Sequence, residues 1–351
     1  MTAAPLVTGD WSGQRERGSL WLVRTMIWLS RRLGWHFGHA LLFPITLYFF
    51  LWSRGARGIS RRYLTRALGR QARAADVFRH FFVFSSVILD RIFLLTGSVR
   101  PYRVRLLGLA HLQSCIARGG GCVLLGSHLG SFEILRVVAA RDCPVPFKAL
   151  MYRGHTAALT GLIERLNPAL CNDLIEIGSP DAMLAVRDCV ARGEIVGILA
   201  DRAPDSHKQL TVRFFDGDAA FPTGPIIVAA TLGAPVVLFF AVRVGRRRYD
   251  VHFEPFAEAV ILGRQTRQED LRRHVARFAA RLEAQCRAHP YNWFNFYDFW
   301  GSARPELAMP DRHCSGAARP VLRAAGPGPA ALPRSADGQP GRGAVEPGLV
   351  P

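Results

Sequence analysis

The chain has 351 residues, is 49% hydrophobic and carries a net charge of +18 at neutral pH, so it holds enough apolar material for one large core or two small ones. The charge excess, mostly arginine, points to an anionic partner: nucleic acid, an anionic membrane surface or an acidic protein. Its seven cysteines are scattered without a Cys-x-x-Cys pair, which argues against a zinc site or a disulfide framework and favours a reducing compartment.

Residues 1–32 read as a polar start followed by an amphipathic stripe broken by Arg24, Arg31 and Arg32. Residues 37–52 carry no charge, and adding 33–36 brings the segment into the range of about 17–25 residues that spans a bilayer. Aromatics near its ends suit an interfacial belt. Residues 33–53 are therefore expected to form a hydrophobic membrane helix. The segment lies too deep in the chain, and too close to basic residues, for a signal peptide. Arg54, Arg57, Arg61, Arg62, Arg66, Arg70 and Arg73 follow it, which predicts that the downstream part stays cytoplasmic. The alternative is a hairpin of a soluble domain lying flat on the membrane.

Residues 75–95 have the apolar spacing of an amphipathic helix, with Val77, Phe81, Val87 and Ile88 on its broad face. Residues 103–107 alternate as a strand, and 109–117 form a short helix that ends at Gly119-Gly120-Gly121. Cys122-Val123-Leu124-Leu125 reads as a buried strand and 134–140 as a helix. Strands and helices then alternate: strand 147–151, helix 157–166, strand 174–177, helix 182–191 with Asp181 as a candidate cap, and strand 195–200. Further on come 210–215, a helix opened by Phe221-Pro222-Thr223-Gly224-Pro225, strand 235–244 with an antiparallel neighbour at 249–253, and a long helix 267–289. The order predicts an α/β fold, a mixed, largely parallel sheet flanked by helices. The aromatic run Tyr291 to Trp300 suits core packing, an acyl pocket or a lipid interface. Residues 306–351, rich in alanine, glycine, proline and arginine, have the composition of a disordered tail.

His128 falls at the junction between a strand and a helix, and Glu133 follows it closely. His128, Arg153 and Asp201 all come just after the carboxyl end of an expected strand, where ligand crevices of such sheets lie. A neutral histidine takes a proton from an alcohol, and a carboxylate on its other ring nitrogen sets the tautomer. With His128 in the turn, Glu133 could reach back to the imidazole. Spacing alone equally allows a turn histidine and a first-turn glutamate favoured by the helix dipole.

Several stretches together resemble the bacterial lipid A biosynthesis acyltransferase family, relatives of the lysophospholipid acyltransferases. Gly126-Ser127-His128-Leu129-Gly130-Ser131-Phe132-Glu133 is similar to the family's His-x-x-x-x-Asp/Glu box. Met151-Tyr152-Arg153 falls at the arginine box, Leu199-Ala200-Asp201-Arg202 where Asp-Gln is usual, and Phe214-Phe215 through Phe221-Pro222-Thr223-Gly224-Pro225 at the box that follows. The likeness covers roughly residues 20 to 300. It implies a glycerolipid-acyltransferase-like domain over 54–305, a single anchor in the bacterial inner membrane and a catalytic domain on the cytoplasmic side. It implies acyl transfer from a thioester on acyl carrier protein to a hydroxyl of a lipid acceptor, without a metal or other cofactor. His128 would be the general base and Glu133 its orienting partner. Arg153 would hold an anionic group of donor or acceptor. Asp201 and Thr223 would belong to the substrate-binding part, Asp201 either positioning a basic partner or capping a turn. Arg202 departs from the usual glutamine, and the aromatic ending is less basic than that of lipid A enzymes. Another glycolipid, or an aryl-polyene or pigment lipid, suits this variant equally as acceptor.

Three other classes remain as expectations to weigh, one of them a catalytically silent membrane scaffold. A hydrolase could use the same histidine with Ser127 or Ser131, although no Gly-x-Ser-x-Gly elbow is present. Nucleic-acid binding rests on charge alone, with no helix-turn-helix, zinc-finger or RNA-binding signature, so no nucleic-acid partner is expected.

Overall fold

A parallel strand buried on both faces needs apolar residues on both, and β2 (Cys122–Gly130) has them in its first four positions, Cys122 to Leu125. Val123 and Leu125 point into one core, and Cys122 and Leu124 into the other. In the computed structural model, which describes residues 20–142, 145–151, 173–177, 181–202 and 208–301, β2 lies at the centre of a seven-stranded sheet. The other strands of that sheet are β1 (Arg103–Leu107), β3 (Phe147–Met151), β4 (Leu174–Glu176), β5 (Ile195–Leu199), β8 (Val236–Gly245) and β9 (Arg248–Ala257). Their order is β1-β9-β8-β2-β5-β3-β4, and every neighbouring pair is parallel except β8 with β9. The expected mixed, largely parallel α/β sheet is thus the one that forms. A separate antiparallel hairpin pairs β6 (Gln209–Phe214) with β7 (Gly217–Pro222). The second strand of that hairpin takes up residues that read as the lead-in to a helix.

The helices are α1 (Leu20–Trp52), α2 (Arg54–Leu68), α3 (Ala74–Leu95), α4 (Leu109–Ala117), α5 (Leu135–Arg141), α6 (Ala182–Ala191), α7 (Gly224–Leu232) and α8 (Arg267–Ala288). Asp181 stands at the start of α6 but its side chain makes no capping bond. One core joins the sheet to α2, α8 and the hairpin through Tyr63, Leu64, Phe214, Phe221, Phe278 and Leu282. The other joins the opposite face to α1, α3, α4 and α5 through Trp35, Leu89, Leu112 and Val137.

The expected membrane-spanning anchor at 33–53 needs correction. No described helix is long and apolar enough to cross a membrane. Gly34, at φ 84° and ψ 172°, breaks α1 into two limbs. In the second limb Trp35, His39, Leu42 and Thr46 are buried, and their spacing puts them on one face. That face contacts α3: the Trp35 indole donates to Asp90 at 2.7 Å, and the Thr46 hydroxyl donates to Ser85 at 3.2 Å. The limb therefore uses one side for protein packing. The other side leaves Phe37, Phe43, Leu47, Tyr48, Leu51 and Trp52 exposed.

Asp90, wholly buried on α3, ties this arrangement together. Its carboxylate also accepts from Tyr102 at 3.1 Å and Tyr249 at 2.8 Å, and faces Arg243 at 3.4 Å. A buried carboxylate is tolerable only with such a set of donors.

Candidate active site

The carboxyl end of β2 is irregular, and the irregularity creates the site. Pairing with β5 stops at Gly126 opposite Leu199. Pairing with β8 slips between Gly126 and Gly130, so Ser127, His128 and Leu129 leave that ladder. Gly130, at φ +76°, brings the chain back. A Cβ there would lie 1.8 Å from the Ala241 carbonyl oxygen, so only glycine fits.

Freed from the ladder, the His128 amide donates to Asp201 Oδ2 at 3.0 Å. The imidazole donates from Nδ1 to Asp201 Oδ1 at 2.8 Å. Asp201 stands two residues beyond the end of β5 and is wholly buried, whereas the His128 side chain is 36% exposed. Burial alone would raise the Asp201 pKa. The facing His128 ring and amide and the Arg202 guanidinium outweigh it and hold the carboxyl down to about 2. An ionised carboxylate only accepts, so the proton sits on Nδ1 and Nε2 carries the free lone pair. Among the described residues none bonds Nε2. Burial, and next the Arg202 charge, lower the His128 pKa, with Asp201 opposing, so the ring is neutral at neutral pH. The arrangement offers an accessible, correctly tautomeric base.

The other expected site residues are placed as follows. Glu133 lies in a single 3₁₀ turn, Phe132–Ile134, and its carboxylate pairs with Arg91 of α3 at 3.1 Å. The carboxylate on the Nδ1 of His128 is thus Asp201, and the one on Arg91 is Glu133. Thr223 is buried just before α7, and its hydroxyl donates to the Lys208 carbonyl at 3.0 Å. Arg153 lies outside the described residues, as do the expected helix 157–166 and the 306–351 tail. The Ser127 and Ser131 hydroxyls are buried and make no hydrogen bond among the described residues.

A segment after α8 completes the site. Leu129 and Trp293 form an antiparallel bridge, and the Phe294 amide donates to the His128 carbonyl at 3.1 Å. The Trp293 indole donates to Asp201 Oδ2 at 3.0 Å. Arg202 donates from Nη2 to the Phe294 carbonyl and lies 5.5 Å from the centre of the Tyr297 ring. No short-range spacing could show these partners, because the chain returns to β2 only after the whole sheet is built. The sole signal was the aromatic density of residues 291–300.

A neutral histidine held by a buried carboxylate at the end of the central strand of an α/β sheet has the make-up of a general-base site. The sequence model of the family described as bacterial lipid A biosynthesis acyltransferase matches residues 15–301. The chain belongs to that family and is an O-acyltransferase. No curated protein matches the chain.

Proposed function

We propose that the protein moves a fatty acyl chain from an acyl-carrier-protein thioester to a hydroxyl of a glycolipid acceptor at the cytoplasmic face of the inner membrane. The observation that carries this is the 2.8 Å bond from His128 Nδ1 to buried Asp201, with Nε2 open, in a chain of this family. The acceptor hydroxyl gives its proton to Nε2 as its oxygen attacks the thioester carbonyl. The C–O bond forms, the C–S bond breaks, and the imidazolium returns the proton to the departing sulfur. Asp201 stabilises the imidazolium in between. Glu133, paired with Arg91, fixes the turn that follows the base. Arg153 supplies a guanidinium for a phosphate of donor or acceptor. Thr223 acts on binding indirectly, through the Lys208 carbonyl it holds.

Net charge and surface support the partners. A chain of +18 attracts an acidic carrier protein. The exposed apolar side of α1 runs into α2, where Arg54 and Arg61 are exposed. An apolar face beside cations matches a helix lying in the interface of an anionic bilayer.

The test uses membranes containing wild type or H128A, supplied with labelled acyl-carrier-protein thioester and a lipid extract, with products followed by mass spectrometry. A new acylated lipid with wild type alone is expected, and its mass identifies the acceptor as lipid A precursor, other glycolipid or aryl-polyene lipid. Free fatty acid as the only product would replace the transferase reading with a hydrolase.

A further inference from the structure

Resting on the role proposed above for His128 and Asp201, we propose that Trp293 is a positioning residue for the reaction, its indole N–H locking the rotation of the Asp201 carboxylate that holds the base.

A carboxylate turns readily about its last side-chain bond. Here three N–H groups converge on two oxygens: the His128 ring on Oδ1, and the His128 amide and Trp293 indole on Oδ2. The imidazole and its own amide belong to one residue, so they leave the pair free to shift together. Trp293 supplies the external reference.

Trp293 is itself held from every side. It is fully buried, with the rings of Tyr63, Phe214 and Phe299 edge-on at 5.0, 5.4 and 5.0 Å. Its carbonyl oxygen accepts from Nε2 of buried His80 at 2.9 Å. A carbonyl only accepts, so His80 carries its proton on Nε2 and takes a bond from the Ser60 hydroxyl on Nδ1, at 2.8 Å. Burial lowers the His80 pKa to about 4 against a smaller opposing effect of the Trp293 carbonyl, so this tautomer persists at neutral pH. The main chain adds the Phe294 bond to His128 and a bond from the Gly130 amide to Asn292 at 2.8 Å. Asn292 in turn clasps Arg243 of β8 with its side-chain amide, accepting from its backbone N–H at 2.8 Å.

Trp293 touches no part of the reacting centre, so it acts through Asp201. A phenylalanine would fill most of the same space. What the indole adds is a donor, which in a dry site must find an acceptor.

The experiment replaces Trp293 in the full chain with phenylalanine and, separately, with β-(3-benzothienyl)alanine, which keeps the shape of the indole but has sulfur in place of N–H. kcat and KM for the carrier-protein thioester are measured in detergent. The Nδ1–H resonance of His128 is followed by NMR in ¹⁵N-histidine-labelled protein, with H128A as the assignment control. The isosteric variant should lower kcat about tenfold with KM within threefold, and shift or broaden the Nδ1–H resonance. A fall in kcat under threefold, or an Nδ1–H resonance identical to wild type, would overturn the proposal. Should H128A itself retain turnover, the base assignment fails, while the NMR arm still decides whether Trp293 positions the pair.

Discussion

At the scale of the residue, the reach of a neutral imidazole depends on what stands behind it. D201N replaces an ionised acceptor with an amide of the same shape. It should lower kcat at least about 100-fold with little change in thermal stability, because the ring loses both its fixed tautomer and the anion that stabilises its charged form. The pH dependence has a definite sign. Burial, then Arg202, lowers the His128 pKa below its ordinary 6.5. Activity should therefore fall on the acid side through a pKa below 6.5, and R202Q should move that limb upward, read from kcat/KM against pH. His80 gives a stability prediction. Its pKa is about 4 in the folded protein, so between pH 6.5 and 4 the unfolded chain binds the extra proton. Folding stability contributed by this residue is complete above pH 6.5 and declines as pH falls, by about 3 kcal/mol at pH 4. H80Q keeps a donor for the Trp293 carbonyl without a titrating ring. The gap in melting temperature between pH 7 and pH 4.5 should be smaller in H80Q than in wild type.

At the scale of the element, α1 separates two kinds of apolar residue on one helix. W35A removes a buried indole and a donor to buried Asp90, and should cost about 3–5 kcal/mol in a denaturant titration. L47E with L51E alters only exposed positions. It should leave the melting temperature nearly unchanged and weaken sedimentation with anionic lipid vesicles at least tenfold. Equal vesicle binding by this variant and wild type would rule out the exposed face as the lipid contact. This helix also shows why hydropathy misread the segment. An uncharged run counts every apolar residue alike, whereas Trp35, Leu42 and Thr46 are buried and Leu47 and Leu51 are exposed.

At the scale of the whole molecule, the alternating strands and helices were legible because each local period matched what the sheet requires. The runs at Val123, Val196 and Val237 read as buried strands and are buried strands. His128 was legible for the same reason, as a polar residue ending such a run. Asp201 was picked out too, at the end of another expected strand, but not as the partner of His128. Asp201 lies 73 positions away and Trp293 a further 92, so neither obeys a spacing rule. Glu133 drew attention by being near in sequence, but the turn carries it to α3 and Arg91. The β6–β7 hairpin was hidden by Pro222 and Gly224, which read together as the start of a helix although Pro222 ends a strand. The family match ends at residue 301. A chain lacking residues 312–351 should therefore keep turnover within about twofold of the full protein when assayed side by side.

The return of the chain from α8 to β2 also bears on the order of synthesis. On the ribosome, His128 and Asp201 emerge long before Trp293 and Phe294. A nascent or prematurely halted chain would carry the base and its carboxylate without the indole and the amide that close over them. Such a fragment has a poorly aligned histidine and an incomplete core beside it. On the proposed mechanism, activity arrives only once the segment around Trp293 has been made, and shorter products pose little threat to the cell's pool of activated fatty acids.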